Sequence, residues 1–239
     1  MIALGDRLPN LGIIFVVLLV ASCGDLPPFL RTDSELVSFN MSGDRYEIPA
    51  NYLVGYERRE EHGSGTDGAF LAFSWPDMNG RPSDGDDYKR YAKNNIRVRV
   101  GASVNYENQV RALNASYLRM MTKPKIGPIS DFSPPVRKGT FLGYEHFERR
   151  LTRHEKFGSS DYSTIDIYAR RNDRGELEAL MECQGEPAPQ GRNPQCNLRV
   201  IFPQFEGTGF SITFSRRQAL NDVRRVERSV KEKFSHFSE

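Results

Sequence analysis

The 239 residues hold 33 basic and 31 acidic side chains, and the signs mix locally, as at Arg58-Arg59 and Glu60-Glu61. That balance argues against a nucleic-acid binder, which needs one-sided positive charge. No apolar stretch reaches the ~20 residues of a membrane-spanning helix, and three cysteines with four scattered histidines do not supply the four ligands of a structural zinc site, so neither a permanent span nor a metal or cofactor is expected.

Residues 11–21, LGIIFVVLLVA, follow a short segment with one arginine, Arg7, beside one acid, Asp6, and end at the small residues Ala21 and Ser22. This is the layout of a secretory signal. Val20-Ala21-Ser22-Cys23 resembles the lipobox of bacterial lipoproteins, an aliphatic residue and two small ones before a cysteine. The resemblance implies cleavage before Cys23, a diacylglycerol on its sulfur and an acyl chain such as palmitate on its amine. Residues 1–22 are then the signal peptide and 23–38 a lipid-anchored tether. Buried methylenes contribute about 0.8 kcal/mol each, so several chains anchor stably where one holds reversibly. Gly24 stands where the family's inner-membrane retention signal places aspartate, and Asp25 follows one place later; the resemblance favours the outer membrane, with the protein facing the periplasm. With lipid on Cys23, Cys183 and Cys196 are the pair that remains. An oxidising compartment predicts a disulfide between them, worth about 3 kcal/mol by loop entropy.

The folded body is expected over 39–239, either as one large domain or as two related lobes, 39–125 and 136–239. FNMSGDRYEIP places Gly43-Asp44 between two extended runs and predicts a hairpin that stops at Pro49. AFLAFSW (69–75) is a β-prone run ended by Pro76, and IRVRV (96–100) alternates apolar with charged residues as a half-exposed strand does. KPKIGPISDFSPPVRKG (123–139) reads as loop. TFLGYEHFERRL and YSTIDIYARR follow, and Asn172-Asp173-Arg174-Gly175 before ELEALMEC is the strongest hairpin signal of the chain. Asn197 to Phe202 and GFSITFS complete a largely antiparallel sheet.

From Ser215, a candidate N-cap, the period changes. Leu220, Val223, Val226, Val230 and Phe234 recur every three or four residues and predict an amphipathic helix, its basic side chains forming a solvated outer face or meeting anionic lipid or an acidic partner. A second short helix is expected around Asp86 to Lys93. LAFSWPDMNG (71–80) echoes LRVIFPQFEG (198–207), and YLVGYERR echoes FLGYEHFERR in the same order. The two-lobe alternative rests on those echoes. The expected class is α+β, mostly antiparallel sheet with a C-terminal amphipathic helix.

Catalytic patterns are missing. EHGSGTDG, with His62 and Ser64, is no G-x-S-x-G elbow because Glu61 replaces the first glycine. His146, His154 and His236 lack H-E-x-x-H spacing. SDGDD (83–87) lacks the bidentate acid of a calcium loop. The chain is read as a non-enzyme that binds a protein. Exposed polar loops on a rigid scaffold are where recognition concentrates, with arginine and tyrosine carrying much of the energy; the candidate contacts are Tyr56, Arg58 and Arg59 in one loop and Glu186 and Arg192 in the disulfide-closed one. The organisation of lipid anchor, tether and disulfide-bearing α+β domain is similar to that of immunity lipoproteins that protect bacteria from periplasm-acting toxins, including lipase effectors of type VI secretion. The resemblance implies a secreted toxin or effector as partner. The alternative is a structural or assembly lipoprotein of an envelope or secretion complex.

Overall fold

The computed structural model describes residues 35–57, 68–82, 94–102, 105–123, 130–154, 164–185 and 193–238, and of 55–57, 130–131 and 151–154 the backbone alone. The signal peptide, Cys23, Arg58, Arg59, His62, Ser64, SDGDD, the helix expected at 86–93, Glu186 and Arg192 lie outside the described residues. An antiparallel hairpin, β1 (Leu36–Met41) and β2 (Asp44–Pro49), leads through a helical turn, Ala50–Tyr52, to β3 (Leu53–Glu57), β4 (Gly68–Ser74) and β5 (Asn95–Ala102). Helix α1 (Tyr106–Thr122) comes next. The strands β6 (Ser130–Phe132), β7 (Val136–Phe141), β8 (Tyr144–His154), β9 (Thr164–Arg171), β10 (Leu177–Gln184), β11 (Gln195–Val200) and β12 (Thr208–Ser215) follow in turn. The chain then forms α2 (Arg216–Ala219), a turn, and α3 (Val223–Ser235). One antiparallel sheet runs β3-β4-β5-β12-β11-β10-β9-β8-β6, with β7 also paired to β8. The protein is thus α+β, mostly antiparallel sheet, with a helical C-terminus.

Period-two alternation divides the sheet into two faces. Ile96, Val98 and Val100 of β5, Leu198 and Val200 of β11 and Phe210, Ile212 and Phe214 of β12 are buried on one face, against the β1–β2 hairpin and α3. Val223, Val226, Val230 and Phe234, the helix stripe expected from the sequence, fill the same core. Phe234 meets Phe210 and Phe205 edge to face, with centroids 5.0 and 5.2 Å apart, a geometry aromatic quadrupoles favour. On the other face α1 packs through Leu113 and Met120 over Ile167, Ala169, Leu177, Leu180 and Ile201. Asn105 caps its start, accepting from the Asn108 N–H at 2.9 Å.

The hairpins expected at Gly43 and at Asn172 to Gly175 are present, with Ser42, Gly43 and Gly175 at positive φ. Several expectations need correction. The fold begins at Leu36, inside the span read as tether, because Val37, Phe39 and Met41 alternate into the core and β1 pairs along its whole length with β2. The segment read as loop contributes β6 and the start of β7. Ser215 precedes α2 but its hydroxyl caps nothing and is buried without a partner. The two candidate lobes share one sheet, because β5 pairs with β12 over six residues. The echoing strands β4 and β11 do flank that pair symmetrically, yet α1 and α3, which follow β5 and β12, lie on opposite faces.

Candidate binding face

Opposite α3 and beside α1, strands β5, β11 and β12 carry polar side chains on the second face of the sheet. Arg97 and Arg99 of β5 and Asn197 of β11 are exposed, and Phe70, Arg199, Ser211 and Thr213 are half-buried beside them. Short bonds order this surface: Asn197 Nδ2 donates to Thr213 Oγ1 at 3.2 Å and Ser211 Oγ to Asn197 Oδ1 at 3.3 Å. Arg99 lies over the Phe70 ring at 5.2 Å, and Arg199 Nη1 donates to Ser116 Oγ of α1 at 2.8 Å. Where the face meets α1 there are two cavities, about 350 and 450 Å³, both bordered by Arg99, Arg199 and Ser211. Glu182 borders the second; burial pushes its carboxyl up while Arg199 and Arg119 pull it back.

The strand register places the β3–β4 and β10–β11 junctions at opposite ends of this face; Arg58, Arg59, Glu186 and Arg192, within those connections, lie outside the described residues. The β3–β4 connection, which holds Arg58 and Arg59, enters β4 at Gly68, aligned with Gly101 and Gly209. The β10–β11 connection, which holds Glu186 and Arg192, joins Gln184 to Gln195, and Gln195 stands opposite Ser215. The two ends are about 20 Å apart along the strands. Tyr56 lies on the edge strand β3, paired with Ala69. The Cys183–Cys196 disulfide is formed between directly opposed residues of β10 and β11. Both cysteines are wholly buried on the core face, so the bridge locks the strand pair rather than lining the loop.

Other polar clusters among the described residues have no sequence signature, and three of them gather buried charges. His146 is not isolated: its Nε2 is 2.7 Å from Asp166 Oδ1, whose second oxygen accepts from Arg216 Nη1 at 2.5 Å, and its ring stacks on Tyr168 at 4.4 Å. Burial, then the Asp166 charge, push the Tyr168 hydroxyl up to about 12, against Arg216. An imidazole–carboxylate pair is two parts of a nucleophilic triad, but among the described residues no hydroxyl or thiol hydrogen-bonds to His146, and Arg216 already neutralises Asp166. The cluster ties β8 and β9 to α2. In the second cluster, Glu227 of α3 accepts from the Tyr144 hydroxyl, from Arg170 Nη1 at 2.7 Å and from Arg224 Nη1 at 2.9 Å. Burial pushes its carboxyl up, to about 8, while the two guanidiniums in contact favour its ionised form. In the third, the wholly buried Arg149 holds backbone carbonyls at the end of α1. Among the described residues no three His, Cys, Asp or Glu side chains are grouped to hold a metal ion.

No family model matches the chain, and no curated protein matches it in sequence. The chain shares its fold with Smlt3025. That protein is described as an immunity protein of the Stenotrophomonas maltophilia type IV secretion system; the two are 16% identical with a TM-score of 0.60, over 87% of this chain and 94% of that one. FrpD, the iron-regulated outer membrane lipoprotein of Neisseria meningitidis, aligns at 9% identity and a TM-score of 0.49, over 86% of this chain and 93% of that one.

Proposed function

We propose that this chain is a lipid-anchored, periplasm-facing immunity protein that binds and neutralises a periplasm-acting antibacterial toxin and is not itself an enzyme. The observation that carries the reading is the fold common to this chain and Smlt3025 across 87% of its length. The lipobox at Val20-Cys23 and the acylation of Cys23 supply the address, on the outer membrane. The polar face supplies the contact surface. Its rigid sheet costs little ordering entropy on binding, and arginine and tyrosine side chains are the anchors such interfaces favour. Arg97, Arg99 and Arg199 stand on this face, and Tyr56, Arg58, Arg59, Glu186 and Arg192 are the further contacts proposed from the sequence. A toxin seated there is blocked at its active site or its membrane-binding surface. The delivery route, type VI or another, belongs to the toxin.

The test is capture with the full-length, detergent-solubilised chain from envelopes of its source bacterium. The expected result is one stoichiometric exported toxin whose toxicity in the periplasm is relieved by this chain and restored by Cys23→Ser. Recovery of several resident envelope proteins, with an envelope defect on deletion, would overturn the reading in favour of an assembly lipoprotein.

A further inference from the structure

On the far side of the sheet from the polar face, positive charge concentrates on the outer surface of α3. Its exposed side chains are Arg224, Arg225, Arg228, Lys231, Glu232 and Ser235, four cations against one acid on a chain whose net charge is +2. At about 100° per residue these six share one face, with Arg228 near its centre. Arg224 donates to Glu227; among the described residues no carboxylate lies within ion-pair distance of Arg225, Arg228 or Lys231. The arrangement is unfavourable in water alone. Arg228 has like charges three or four residues away in Arg224, Arg225 and Lys231, a spacing at which they destabilise a helix. Arg224 and Arg225 also lie in the first turn, at the positive end of the helix dipole. An anionic partner relieves both penalties.

Two further observations say which anion. Half-buried aromatic rings flank the helix: Arg225 lies over Trp75 at 5.3 Å and Lys233 over Tyr52 at 4.8 Å. Tryptophan and tyrosine, apolar in body and polar at one edge, are the residues of membrane–water interfaces. The course of the chain is the other observation. The Glu47 N–H donates to the Phe237 carbonyl just past α3, and the Ala50 N–H to the Glu35 carbonyl, both at 2.8 Å. The chain therefore enters the fold roughly 10 Å along β2 from the end of α3. Residues 24–35 give Cys23 a reach of at most about 40 Å from that point, against a length of about 20 Å for α3 itself. A lipid on Cys23 thus keeps the bilayer within reach of the basic face.

We propose that the outer face of α3 docks on the anionic phospholipid surface of the membrane that carries the anchor, with Arg225, Arg228 and Lys231 on lipid phosphates and the Trp75 ring at headgroup level. This rests on the acylation of Cys23 proposed above. Near such a surface each Arg or Lys strengthens attachment about fivefold. Three of them hold a free protein weakly, but orient one that a short tether already confines. The polar face, on the opposite side of the sheet, then points away from the bilayer and stays open to a partner.

Trp75 is the only tryptophan of the chain, so its fluorescence reads this face. The full-length chain, produced in a bacterial envelope and solubilised in detergent, is incorporated into phosphatidylcholine vesicles and into vesicles one-third phosphatidylglycerol, both doped with brominated phosphatidylcholine as quencher. Stronger quenching in the anionic vesicles is expected, reversed by about 0.5 M salt. Arg228→Gln with Lys231→Gln should lower the ratio of docked to undocked protein about 25-fold and return quenching to the phosphatidylcholine level, with circular dichroism confirming the fold. Arg111→Gln with Lys123→Gln removes the same charge from exposed positions on and beside α1, across the sheet, and should leave quenching unchanged. Failure to float with phosphatidylcholine vesicles overturns the anchor and this proposal together. Flotation with equal quenching in the two lipids, or quenching that neither salt nor the α3 variant reduces, overturns this proposal alone. Equal quenching combined with loss of a captured toxin by the α3 variant assigns the face to an acidic protein instead.

Discussion

Arg149→Met removes the cation that closes the C-terminal end of α1. Arg149 is 1% exposed. Its Nη1 donates to the Met120 carbonyl at 2.5 Å, its Nη2 to those of Lys123 and Phe132 at 2.8 and 3.2 Å, and its Nε to that of Ser133 at 2.8 Å. The guanidinium also lies 5.6 Å from the Phe132 ring centroid. Burial lowers its pKa from the usual arginine value, and the negative end of the helix dipole opposes that loss. Met120 and Lys123 lie at the helix end, where carbonyls lack intrahelical donors. An acceptor stripped of its buried partner costs about 1 to 3 kcal/mol. Water can reach the exposed Lys123 and half-buried Ser133, so only the buried Met120 and Phe132 acceptors are counted as lost, about 4 kcal/mol in all. Methionine fills most of the volume and adds little cavity cost. For a chain of this size the melting temperature should fall by roughly 8 to 16 °C. Arg149→Lys keeps the charge, but an ammonium cannot reach all the acceptors on the two segments and should recover about half. Thermal melts followed by circular dichroism give the stability, and hydrogen exchange over 113–123 gives the locus. A melting temperature within about 2 °C of the parent, with the last turn of α1 still protected, would refute this account.

Glu227→Gln leaves Arg170 and Arg224 facing a neutral amide and should cost about 3 kcal/mol, the low end for breaking a buried pair, since Glu178 still holds Arg170 Nε at 2.6 Å; a loss below about 1 kcal/mol in urea denaturation would mean that the carboxyl is neutral in the fold. Reducing the disulfide should cost about 3 kcal/mol. Because both cysteines are buried in either redox state, alkylation has to be read after unfolding, and two labelled thiols without reductant would show the bridge is not formed. The Tyr168 hydroxyl titrates near 12 folded and near 10 unfolded, so its contribution is complete below pH 10 and lost as pH rises toward 12, about 2 to 3 kcal/mol in all. Tyr168→Phe should flatten that part of the stability profile, and identical alkaline profiles for the two proteins would exclude the assignment.

Local periodicity was legible without coordinates. IRVRV, GFSITFS and TIDIYARR alternate because a strand shows its side chains to two faces in turn, and Val223, Val226, Val230 and Phe234 recur because a helix returns every 3.6 residues. Counting cysteines paired Cys183 with Cys196 for a similarly local reason, once Cys23 is assigned to lipid. Helix α1 escaped notice because its apolar stripe is thin: Gln109 occupies one of three buried positions, with Leu113 and Met120, and Asn105 caps it without a capping-box acid. The burial of Arg149, Asp166 and Glu227 had no signal in sequence, since a charged residue within a polar strand or helix reads as solvated until its partners arrive from other segments. The candidate sites are of the same kind. Gly68, Gly101 and Gly209 are three unrelated glycines in the chain and come side by side only when β5 docks between β4 and β12. That pairing is long-range, fixed by which faces must be buried together, and no window of sequence contains it.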